Sequence, residues 1–87
     1  MKTIWKFPIP MQETVVLTMP AGAQALAVQL QGDVPTLWAL LESDAPRERR
    51  RFFIAGTGRV MRDEAGAHLG TWQQDGYVWH LFDGGAT

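Results

Sequence analysis

The chain has 87 residues, with eight Lys and Arg against nine Asp and Glu for a net charge of -1, and is 46% apolar and 20% charged. This balance excludes a disordered tail, no apolar run reaches the ~20 residues of a membrane span, and the large basic excess of non-specific nucleic-acid binders is missing. Cysteine is absent, which removes disulfides and thiolate metal sites.

The dominant periodicity is two, interrupted by Gly, Pro and Asp, which predicts strands rather than helices. Thr3–Phe7 is a first short strand, stopped by Pro8 and Pro10. Glu13–Met19 is a second, closed by Pro20-Ala21-Gly22. Gln24–Gln31 alternates Leu26, Val28 and Leu30 against Ala25, Ala27 and Gln29. Gly32-Asp33 then reads as a two-residue type II′ turn, with glycine where positive φ is needed. That turn sets Gln31 opposite Val34, Leu30 opposite Pro35 and Ala27 opposite Trp38. Pro35 falls in a non-hydrogen-bonded pair and forfeits no ladder bond. Ala25 and Ala27 leave room for Trp38 and Leu40 on one face, so Trp38 is expected to be buried against both alanines.

Ser43–Glu48 is a turn by composition. Arg49–Gly56 follows as a strand whose second half, Phe52–Ala55, is apolar on both faces, the pattern of a central strand or one pressed between two layers. Gly56–Ala67 is irregular, with room for one helical turn at Met61–Ala65 and with Val60-Met61 as the pair that would pin it to the core. His68–Gln74 and Tyr77–Asp83 flank Asp75-Gly76, a type I′ hairpin signal. The expected fold is therefore all-β: about seven short, mostly antiparallel strands in a small sandwich or barrel, forming a single domain over 1–87. The opening MKTIWKFPIP lacks the unbroken apolar stretch of a signal peptide, so a cytoplasmic protein is expected.

Catalytic signals are weak. Ser43 is the only serine and lies in a turn without a Gly-x-Ser-x-Gly elbow. With a two-residue Asp75-Gly76 loop, His68 faces Asp83 while His80 lies on the opposite face, across from Thr71. The two imidazoles then cannot share an ion, and no metal is expected; only a three-residue loop would bring them diagonally onto one face. Gly56-Thr57-Gly58-Arg59 lacks the third glycine of a dinucleotide loop, since position 61 is Met61, yet its amides beside Arg59 suit a small anion nest.

Arg47, Arg49, Arg50 and Arg51 surround a single Glu48. On a strand, Arg49 and Arg51 share one side and Arg50 takes the other. Two readings stand: a charged edge strand that resists aggregation, or an anion clamp of Arg forks. In the terminal hairpin, Trp72 faces Trp79, with Tyr77 and Leu81 on the same side and Leu69, Val78, His80 and Phe82 on the other. One of these two apolar faces is core; the second is either covered within a sandwich or exposed for a partner, a base or another copy of the chain.

The strings Ile4-Trp5-Lys6-Phe7-Pro8, Met19-Pro20-Ala21-Gly22-Ala23, Leu37-Trp38-Ala39-Leu40, Gly56-Thr57-Gly58, His68-Leu69-Gly70-Thr71 and Val78-Trp79-His80-Leu81-Phe82 span nearly the whole chain. Together they resemble a family of small bacteriophage and prophage proteins for which no activity is established. The resemblance implies a context, a phage-type accessory protein in a bacterial cytoplasm, and carries over no catalytic residue.

These readings lead to a non-enzymatic binding module without a cofactor, self-associating through its terminal hairpin, that engages a host protein or an anionic, nucleotide-like ligand. Arg49, Arg51, Arg59, Trp72, Tyr77 and Trp79 are the candidate contacts, because Arg takes phosphate and aromatic rings stack on bases. The alternative is a structural or morphogenetic phage component in which the aromatic face is purely an interface. An enzyme ranks behind both, since no acid, base and nucleophile set emerges.

Overall fold

In the computed structural model, which describes residues 1–87, seven strands follow one another along the chain. They are β1 (Lys2–Pro8), β2 (Thr14–Pro20), β3 (Gln24–Gln31), β4 (Val34–Glu42), β5 (Arg47–Gly56), β6 (His68–Gln74) and β7 (Tyr77–Ala86). All pairings are antiparallel. One sheet has the order β1-β4-β3 and the other β2-β5-β7-β6, and the two pack as a sandwich. No helix is long and apolar enough to cross a membrane.

Alternation decides which side chains meet between the sheets. Val15 and Met19 of β2, Leu37, Ala39 and Leu41 of β4, Phe52 and Ile54 of β5, Trp72 of β6 and Leu81 of β7 form one buried cluster. Closest approach falls at the β3–β6 edge, where Gly70 lies against Val28. Gln74 Nε2 donates to the Asp33 carbonyl at 2.8 Å, tying the ends of the two hairpins together.

Both turns have the expected form. Gly32 has φ +61° while Asp33 stays negative, the type II′ pattern; Asp75 and Gly76 are both positive, at 54° and 81°, as type I′ requires. Gln31, Leu30 and Ala27 face Val34, Pro35 and Trp38 as the turn dictates. Further out, a bulge at Leu26 shifts the register, so Ala25 faces Ala39 and Gln24 faces Leu40. The expectation that Trp38 is buried against Ala25 and Ala27 is corrected on two counts: the bulge takes Ala25 away to Ala39, and the face that Trp38 shares with its partner Ala27 is the one the other sheet leaves uncovered. Trp38 is half-buried on the outer face, and Leu37, Ala39 and Leu41 fill the core instead. The extra residue also turns Leu26 outward, leaving it 48% exposed, while Val28 stays inside.

β5 is flanked by β2 and β7, as its two-sided apolar half implied. This overturns the edge-strand reading of the arginine cluster. Arg50 alternates with Phe52 and Ile54 and therefore points inward. Its Nη1 donates to the Ala23 carbonyl at 2.7 Å, and its Nη2 meets Asp83 Oδ2 at 3.3 Å. The segment between β5 and β6 holds a turn, with Ala65 N–H donating to the Arg62 carbonyl at 3.1 Å, but no helix. Val60 does not pin it, being 96% exposed. Gly66 and Ala67 do so instead, by exchanging backbone hydrogen bonds with Asp83 at 2.7 and 2.9 Å.

Candidate functional site

The six expected contact residues separate into three groups. Arg49 and Arg51 lie on the outer face of the four-stranded sheet, where the Arg51 guanidinium stacks 5.4 Å from the Phe53 ring centre. Trp72 is 4% exposed and belongs to the core, so it is withdrawn as a surface contact. The face carrying Trp72, Trp79 and Leu81 is the inner face of the sandwich; Leu81 is fully buried there. Arg59, Tyr77 and Trp79 come together at one end.

That end is built by chain geometry. β5 runs past the start of β2, with Ile54 N–H donating to the Glu13 carbonyl at 3.0 Å. The chain then turns back at Gly56-Thr57-Gly58, where the Arg59 N–H donates to the Gly56 carbonyl at 3.0 Å. Gly58 adopts φ +86°, a conformation that favours glycine. Between this loop, residues 11–13 and Trp79 lies a cavity of about 730 Å³. A second space of about 470 Å³, bounded by Thr57, Tyr77 and Trp79, adjoins it. Arg59, Gly56 and Trp79 border both.

The chemistry of this groove is apolar with a free cation. Trp79 rests on the Gly56 Cα, where an added Cβ would come within 3.2 Å of its ring, and Tyr77 stands 5.9 Å from the Trp79 ring centre. Arg62 is neutralised by Glu13 at 3.4 Å. Arg59 takes part in none of the ion pairs of the chain, and the residue is exposed. The arrangement can hold a planar apolar group against Trp79 and Tyr77 and an anion against Arg59.

The histidines differ from expectation. The Asp75-Gly76 loop has two residues, but a bulge at Leu69 places His68 opposite Phe82 rather than Asp83. His68 and His80 thus share the outer face, with ring centres 6.0 Å apart. Thr71 Oγ1 stands between them, 2.8 Å from His68 Nε2 and 2.9 Å from His80 Nδ1. The other nitrogen of His80, Nε2, lies 2.9 Å from Thr57 Oγ1. The two imidazoles are therefore not held apart on opposite faces, contrary to expectation.

A family model described as Domain of unknown function (DUF7352) matches residues 1–86. The chain belongs to this family. Comparison with curated proteins and with solved structures returns no match.

The placing of Thr71 across from His80 holds in this DUF7352 domain, whereas the contact of Thr57 with His80 and the pairing of Glu13 with Arg62 escaped the sequence reading. Gly70 was the available signal for the histidine pair, because an isolated glycine inside a strand marks a bulge or a close backbone approach. The pairing of Glu13 with Arg62 has no such signal, since it joins segments far apart in sequence.

Proposed function

We propose that this protein is a non-enzymatic binding module whose groove takes a small anionic ligand with a planar ring, of the nucleotide class. The observation that carries the reading is the position of Arg59 and Trp79, which border both adjoining cavities. A ring stacked on Trp79 gains ~1–3 kcal/mol, and a phosphate forked by Arg59 a further ~1.5–3 kcal/mol. The phage accessory setting and the bacterial cytoplasm belong to the same proposal; they rest on the resemblance of the sequence strings. Self-association through the aromatic face loses its motivation, because that face is used inside the sandwich.

Titration of adenosine, AMP and ATP by calorimetry tests the reading. AMP is expected to bind more tightly than adenosine, and Arg59→Ala to lower AMP affinity about 10- to 100-fold without changing the melting temperature. Equal affinity for adenosine and AMP, or no binding of any of the three at millimolar concentration, would overturn it.

A further inference from the structure

We infer that His68 and His80 form a binding site for a divalent late-transition-metal ion, Zn²⁺ or Cu²⁺, on the outer face of the four-stranded sheet. Neither histidine lines the groove, although Thr57, which faces His80 Nε2, borders its second space.

The chain contains only two histidines, and the fold brings both rings to one spot. His68 Nε2 and His80 Nδ1 are directed at the same point, the Thr71 oxygen, from 2.8 and 2.9 Å. Zinc sits ~2.0–2.1 Å from an imidazole nitrogen, so an ion held near the place the hydroxyl now fills requires each ring to close on it by about 0.8 Å. Thr71 is exposed, and a turn about its χ1 clears that place.

A single hydroxyl hydrogen serves only one ring nitrogen, so Thr71 satisfies both imidazoles only when one of them donates to it. An ion accepts both lone pairs at once. The orientation of His80 is already fixed from behind: its Nε2 can donate to Thr57 Oγ1 at 2.9 Å, and Thr57 can donate onward to the Val78 carbonyl at 3.4 Å. The proton on Nε2 leaves Nδ1 as the nitrogen with a lone pair, now facing Thr71, and the bond of Nε2 to Thr57 is the outer hydrogen bond that metal-binding imidazoles require. No group of three His, Asp or Glu side chains converges in the fold, so the remaining coordination positions belong to water or to an incoming oxygen ligand. Two imidazoles without carboxylates favour Zn²⁺ and Cu²⁺ over Mg²⁺ and Ca²⁺.

The test is titration of the tag-free chain with Zn²⁺, Cu²⁺ and Mg²⁺ by calorimetry, with the ring signals of both histidines followed by NMR. One Zn²⁺ or Cu²⁺ per chain is expected, both rings shifting together, with no response to Mg²⁺. His68→Ala, at an exposed position, and His80→Gln, which keeps a hydrogen-bonding group toward Thr57, should each lower affinity at least about tenfold. Both should retain the parent circular dichroism spectrum. Thr71→Ala, which vacates the ion's place, should bind as tightly as the parent or more so. Absence of binding at millimolar ion, single-histidine variants that keep the parent affinity, or loss of affinity in Thr71→Ala would each overturn the proposal.

Discussion

Val28 and Gly70 mark the line along which the two sheets touch: a Cβ at Gly70 would stand 2.7 Å from the Val28 Cβ. The obstacle is a branched, buried side chain that has no flexible end to swing away. Gly70→Ala is therefore expected to destabilise the fold by roughly 1–3 kcal/mol through overpacking. Val28→Ala removes the Cγ2 contact at 2.8 Å but keeps the Cβ at 2.7 Å, so it should rescue little, whereas Val28→Gly removes both and should show the larger favourable coupling in a urea double-mutant cycle.

The ion pair of Arg50 and Asp83 leads to a graded prediction. Their side chains are 15% and 32% exposed, and Asp83 Oδ1 also accepts the Gly85 N–H at 2.8 Å. Asp83→Ala removes both acceptors and leaves Arg50 without its counter-charge, at a cost of roughly 1.5–3 kcal/mol. Asp83→Asn keeps an oxygen for Gly85 and should lose less. Chemical denaturation of the two variants gives the order directly.

Asp75 is the only residue other than glycine at positive φ. A β-branched side chain is strained there, so Asp75→Val should cost ~1–2 kcal/mol. Asp75→Gly should be close to neutral, since strain relief offsets the added freedom of the unfolded chain. Equal melting temperatures for the two variants would contradict the type I′ turn.

Two aromatic residues of the terminal hairpin should behave in opposite ways. Trp72 is buried in the core, and Trp72→Ala should remove ~3–5 kcal/mol. Tyr77 is 65% exposed, and Tyr77→Glu should change stability by less than about 0.5 kcal/mol. Thermal denaturation of each variant checks both.

Strand positions and both hairpin turns were legible because alternation and turn chemistry are local. Pro35 and Ala27 found their partners because two residues of turn fix the first few pairs. Beyond them each ladder carries an extra residue, at Leu26 in β3 and at Leu69 in β6, and one such insertion reverses the face of everything past it. His68 was misplaced by the Leu69 insertion, whereas Trp38 lies on the turn side of the Leu26 insertion and kept its partner Ala27; what alternation did not show there is which face of the hairpin the other sheet covers. The candidate site was readable only in part: the Gly56-Thr57-Gly58-Arg59 turn suggested an anion nest, but the approach of Glu13 and Met11 to it depends on chain crossing. The terminal hairpin showed two apolar faces, one with Trp72 and Trp79 and one with Val78 and Phe82, without showing which of them the other sheet covers.

The strand order also bears on how the chain reaches this fold. Only β3–β4 and β6–β7 are hairpins, whereas β1 pairs with β4 from Lys2↔Glu42 to Pro8↔Thr36, and β2 waits for β5. During synthesis the first two strands emerge with no neighbour until some 40 to 50 residues have been made. Distant pairings of this kind place folding in the millisecond-to-second range and leave unpaired strands open to intermolecular contact meanwhile. Lys2 and Lys6 on the outer side of β1, with Pro8 at its end, guard the waiting segment. Replacing both lysines by Val should leave the native state little changed, yet lower the yield of refolded chain by feeding β-rich aggregates.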